Sequence, residues 1–161
     1  MYFSKVATIL QGASLFVAAS ASSTTAHISS GSKRFDCLGR IFTLSDYIEE
    51  KWEAVNFIIS KKLIGRSSHE MEQEYLNDGQ TNKIIYSDQG TTMYYLYQLR
   101  RLWYTEEDDN FNHNVMHHLL IDNLYRVSGI MLKESWTTRE GSRVAGSGAR
   151  GPKKSFCTII G

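Results

Sequence analysis

Arg34-Phe35-Asp36-Cys37, together with the run from Leu44 to Ile64, decides how this chain folds. Within that run Ile48, Trp52, Val55 and Ile59 fall at i, i+4, i+7 and i+11, a helical spacing that predicts one buried face. Glu49, Glu50, Glu53 and Lys61 are expected on the opposite, solvated face. Thr43 with Asp46 three residues on reads as a capping box, Asp taking the place of the usual Glu, and Gly65 stands where a left-handed turn commonly closes a helix. An amphipathic helix needs an apolar surface to lie on. The strand-like remainder of the chain has to supply it.

Outward from this helix, the N-terminus carries an early positive charge, Lys5, then an apolar and small-residue stretch from Val6 to Ala19 that ends on Ala19-Ser20-Ala21. That order reads as a secretory signal peptide over residues 1–21. A membrane anchor is the alternative, but polar Gln11 and Ser14 interrupt a run too short to span a bilayer. Residues 22–33, rich in Ser, Thr, Gly and Ala, read as a flexible lead-in, and residues 34–161 as one domain. The 161-residue chain has 18 Lys and Arg against 17 Asp and Glu, and losing Lys5 with the signal makes the two equal. Balanced charge gives no global attraction to nucleic acid or to an anionic membrane, so any such binding must come from a local patch. Cys37 and Cys157 are the only cysteines, and in an oxidising compartment the pair is expected to form one disulfide rather than two unrelated thiols. Such a bond would place the ends of the domain side by side and stabilise it by up to about 4 to 5 kcal/mol. The chain has no Asn-x-Ser/Thr sequon.

Beyond the helix, Arg66 to Asp78 is polar, with Met71 and Tyr75 expected inward, and Asn77-Asp78-Gly79 signals a turn. Lys83 to Ser87 reads as a short strand. Thr91 to Tyr104 reads as a central strand with Met93, Tyr95, Tyr97 and Leu99 on one face and Tyr94, Leu96, Gln98 and Arg100 on the other. Thr105 to Asn114 reads as an acidic loop, and Val115–Ile121 with Tyr125–Lys133 as a hairpin turning at Asp122-Asn123. A glycine-rich segment from Glu134 to Lys154 leads to a last strand, Ser155 to Ile160. The expected fold is α+β: one helix packed on an antiparallel sheet, with the termini tied together.

The layout resembles the ribonuclease-like secreted effectors of powdery mildew fungi, which are similar in fold to fungal guanyl-specific ribonucleases. The matching features are the signal peptide, Phe35-Asp36-Cys37 followed by a helix, the strand Tyr94-Tyr95-Leu96-Tyr97-Gln98-Leu99, the strand Val127-Ser128-Gly129-Ile130-Met131-Leu132, and Phe156-Cys157. Their order and spacing cover residues 35–160. The resemblance implies a microbial ribonuclease-like fold. Ribonuclease chemistry needs a carboxylate base, an acid histidine and an arginine around the phosphate. Carried over by position, the base falls at Leu96, the arginine at His118 and the acid histidine at Lys133, while His69 matches a histidine of the early strand. A leucine cannot accept a proton, so the resemblance implies a pseudoenzyme. It further implies a secreted monomer, translocated into host cells, that binds host plant protein or host RNA to suppress defence, with no membrane partner.

His113, His117 and His118 suggest metal only if helical, and on a strand their spacing is wrong, so neither metal nor cofactor is expected. His69 and His118 could instead serve an active endoribonuclease as acid and base. Arg139, Arg143, Arg150, Lys153 and Lys154 stand against Glu140 alone in a glycine-rich segment. Such a segment could follow an RNA backbone or be a solvated loop.

Overall fold

The computed structural model describes residues 23–77, 82–107, 111–138 and 152–160. The expected signal peptide at residues 1–21, and Arg139, Arg143 and Arg150, lie outside the described residues. In chain order come β1 (Thr24–Thr25), β2 (Phe35–Cys37), β3 (Arg40–Phe42), α1 (Leu44–Ile59), β4 (Gly65–Ser67), α2 (Ser68–Asn77) and β5 (Ile85–Tyr86). They are followed by β6 (Met93–Gln98), β7 (Tyr104–Glu107), β8 (Phe111–Asp122), β9 (Val127–Thr138), β10 (Lys153–Phe156) and β11 (Thr158–Ile159). The architecture is α+β, with two helices on a curled antiparallel sheet ordered β10-β9-β8-β6-β4. β11, β2 and β3 make a second, small sheet.

The helix α1 forms where its periodicity placed it, and Thr43 N–H donates to Asp46 Oδ2 at 2.7 Å, as the capping box predicts. Its buried stripe keeps Val55 but is otherwise shifted from the expected one. Tyr47, Glu50, Ala54, Val55 and Ile58 face inward, while Trp52 and Ile59 are 57% and 61% exposed. The helix is apolar around much of its circumference, so spacing admits two stripes, and the position of the sheet selects between them. The helix also ends earlier than expected. Lys61, not Gly65, takes the left-handed conformation (φ 56°), and its N–H bonds to Ile58 O while that of Lys62 reaches back to Phe57 O. These two bonds cap the last carbonyls and end the helix at Ile59, five residues sooner than expected, with β4 following from Gly65.

The polar segment after β4 is the second helix, α2, with Met71 fully buried. The expected strand from Thr91 to Tyr104 is broken at a 3-10 turn, Arg100–Leu102, so that β6 and β7 lie end to end along one edge of β8. The acidic stretch expected as a loop starts within β7, a strand that tucks only Tyr104 against the core and exposes the three residues after it, and so shows no apolar alternation. The hairpin at Asp122-Asn123 is present and longer than expected, β8 pairing with β9 from Phe111↔Thr138 to Ile121↔Val127. The final strand is two, β10 on β9 and β11 on β2, with Cys157 between them.

Strand alternation divides the apolar residues between two cores. Tyr97, Leu99, Leu119, Ile121 and Ile130 meet α1 together with Phe35 and Phe42, and Tyr94, Leu120, Met131 and Phe156 meet Met71, Ile84 and Ile85 on the other face. Gly129 lets the chain at Ile84 approach β9: a Cβ there would lie 3.0 Å from the Ile84 carbonyl oxygen. The Cys37–Cys157 disulfide is formed, Cα atoms 4.5 Å apart, beside the pairing of Phe35 with Ile159. Residues 23–33, read as a lead-in, pack on the domain. β1 pairs in parallel with β5, and Lys33 is buried, its Nζ donating to Val127 O at 2.6 Å and lying 2.7 Å from His27 Nδ1. Among the described residues no helix is long and apolar enough to cross a membrane.

Candidate anion-binding cleft

The face of the sheet opposite α1 is only partly covered. Where α2 and Ile84 end their contact, a cleft of about 470 Å³ opens, lined by Lys62, Ile64, Arg66, Leu96, Gln98, His118 and Lys133. Its composition follows from register. Gln98 lies opposite His118, His118 opposite Met131, and Lys133 opposite both Met116 and Lys154. Period-two alternation therefore turns Leu96, Gln98, His118, Lys133 and Lys154 toward one side. Arg66 joins them from β4, opposite Tyr94, and Lys62 from the turn that ends α1.

The electrostatics are one-sided. Glu74 of α2 accepts hydrogen bonds from Arg66 and, at 3.2 Å, from Lys154 Nζ. Burial works to raise the Glu74 carboxyl, but Lys154 and Arg66 outweigh it and hold it below the ordinary carboxylate value. Lys133 makes no ion pair among the described residues. Its burial, then the repulsion of Lys154 and Arg66, lowers its ammonium below the ordinary lysine value. His118 is 8% exposed, and its Nδ1 has no hydrogen-bond partner. Burial, then the Lys133 charge, pushes its imidazole down to about 4. At neutral pH the cleft thus presents four cations, one carboxylate already engaged by two of them, and a neutral imidazole.

Of the residues singled out from the sequence, Leu96, His118 and Lys133 come together here. Lys154 adjoins them through Glu74. Lys153 does not, because the next residue along a strand faces the other way; it lines a separate depression with Asp36, Leu38 and Ser155. His69 stands exposed on α2, with Glu72 at 4.0 Å, and is not among the residues lining the cleft. Arg66, Lys62, Gln98 and Glu74 escaped the sequence reading. The alternation Leu96, Gln98 pointed to one of them, whereas Arg66 and Glu74 lay in a segment assigned no element.

The remaining histidines are dispersed by the same alternation. His117 points to the α1 side, its Nδ1 2.9 Å from Leu102 O, and burial lowers its pKa. His113 stacks on Trp136 at 4.7 Å between the carboxylates of Glu106 (3.2 Å) and Glu134 (3.0 Å). Among the described residues no group of three or more His, Cys, Asp and Glu could hold a metal ion. Comparison with protein-family models, with curated proteins and with solved structures finds no match to this chain in any of the three.

Proposed function

We propose that this chain is a secreted, non-catalytic binding protein on a ribonuclease-like scaffold, an effector that engages host RNA or host protein to suppress plant defence. The host role and the secretion rest on the resemblance and on the signal-peptide pattern of residues 1–21. The observation that carries the binding reading is the cleft itself: Leu96, where the resemblance requires a proton acceptor, lies among Lys62, Arg66 and Lys133. Cations grouped around a leucine where the carboxylate base is required suit holding a phosphodiester rather than cleaving it. RNA is the ligand that this chemistry fits best.

The test pairs cleavage with binding. Purified protein at high concentration should leave single-stranded RNA intact, and should bind it with an affinity that falls steeply with salt. Arg66→Gln and Lys133→Gln should each weaken that binding. Salt-independent capture of a host protein, unaffected by either change, would move the interface away from the cleft. An active endoribonuclease is the competing reading, favoured by the one imidazole left in the cleft. It requires RNA turnover that is lost on His118→Ala or His69→Ala.

A further inference from the structure

His118 is a titratable group enclosed by charges of one sign and left without a hydrogen-bond partner at Nδ1. The charged or titratable residues around it are Lys62 after α1, Arg66 on β4, Glu74 on α2, Lys133 on β9, Lys154 on β10, and His117 on its own strand with its ring turned to the other face, while β6 beside it supplies the uncharged Leu96 and Gln98. Only Glu74 is acidic, and both Arg66 and Lys154 draw on it. In the empty cleft a proton on His118 would add a further positive charge to an already cationic wall, inside a poorly solvated site. An oxyanion lying among the same side chains reverses that balance. It cancels the repulsion from Lys133 and Lys154, and it gives a protonated ring the counter-charge that the cleft otherwise lacks.

We propose that the cleft takes a phosphate-type oxyanion together with a proton on His118, so that the ligand is held more tightly in acid than at neutral pH. This rests on the reading of the cleft as an anion site and adds its regulation. No covalent step is involved: the proton comes from solvent on binding and returns to it on release. The free imidazole, held near 4, is almost entirely neutral at pH 7.5. Acid therefore acts on affinity through the bound state and leaves the free site largely unchanged.

Inorganic sulfate is the appropriate probe, because its charge stays constant between pH 5.0 and 7.5 while that of phosphate does not. A dianion among these side chains favours the imidazolium by about two pKa units over its free value of about 4, so sulfate affinity by titration calorimetry should be about tenfold tighter at pH 5.0 than at 7.5. At pH 5.0, runs in two buffers of different ionisation enthalpy should show close to one proton taken up for each sulfate bound. Nuclear magnetic resonance of the His118 ring should show its titration shifted upward by sulfate. In His118→Gln the two affinities should agree within about twofold, and in Lys133→Gln affinity should drop at both pH values. Equal affinities in the unchanged protein, or a pH dependence that survives His118→Gln, would overturn the proton coupling and leave the cleft reading standing. Absence of sulfate binding at both pH values would overturn both.

Discussion

Raising the pH from 8 to 9.5 should stabilise this protein, and Lys33 is the reason. Its side chain is 1% exposed, with Nζ bonded to Val127 O, 2.7 Å from His27 Nδ1 and 4.7 Å from the centre of the Tyr86 ring. Burial lowers its ammonium to about 8 against the partial compensation of Asp122, so that folded and unfolded chains differ in protonation between that value and 10.5. Across this window the unfolded chain keeps the proton and the folded chain gives it up. Stability therefore rises with pH, the cost of burying the charge being fully present below 8 and gone by 10.5. Over 1.5 pH units at about 1.4 kcal/mol each, the gain is up to about 2 kcal/mol. The tyrosines act in the opposite sense but later. Burial pushes Tyr97 up to about 12 and Tyr47 higher still, so each starts to cost stability only as pH passes 10. Both cysteines are in the disulfide, so thiol exchange does not complicate the alkaline side. Urea unfolding followed by tryptophan fluorescence should show the midpoint rising by about 1 M between pH 8 and 9.5. A flat or falling midpoint would refute the reasoning, as would the same rise in Lys33→Met.

Replacing both Cys37 and Cys157 by alanine releases a loop closed over a separation of 120 residues and should cost up to about 5 kcal/mol. The melting temperature in non-reducing buffer should fall by about 10 to 20 °C. Trp52→Ala, on the exposed face of α1, should change stability by less than about 0.5 kcal/mol, whereas Tyr47→Ala, on the buried face, should cost about 3 to 5 kcal/mol. Equal losses in chemical denaturation would restore the other stripe as the packed one. Gly129→Ala forces a methyl against the Ile84 carbonyl at 3.0 Å and should cost about 1 to 3 kcal/mol, read in the same assay. Asp122 is held down to about 2, since hydrogen bonds from His27 and Arg126 outweigh the upward push of burial. Its contribution is present above pH 3.8 and should fade as pH falls toward 2, so Asp122→Asn should flatten the acid limb of a stability profile between those values.

Much of the fold was legible from neighbours along the chain. A capping box, a helical period and an Asp-Asn turn each act over a few residues, and each is where the residues place it: Thr43 with Asp46, α1, and the turn between β8 and β9. The two cysteines, expected to pair, are bonded to each other. The misses share another cause. Trp52 and Tyr47 are equally good anchors on a helix that is apolar around much of its girth, and α2 shows too little burial for its period to stand out, Met71 being the one fully buried side chain among those described there. β7 exposes most of its length, so no alternation announced it.

The cleft divides along the same line. His118 and Lys133 were reached because each occupies a position in a motif, but nothing adjacent in sequence links Arg66 to Lys133 or Glu74 to Lys154. Those pairs are made by β4, β6, β8, β9 and β10 lying side by side with α2 packed beside them, and a shift of one residue in any register would turn the cations to the other face. Which residue types are available, and where the chain bends and coils, was written in short-range chemistry. Which of them share a wall, which histidine loses its solvent and which lysine is enclosed was set by long-range strand pairing, because burial and electrostatic coupling depend on distance through space and not along the chain.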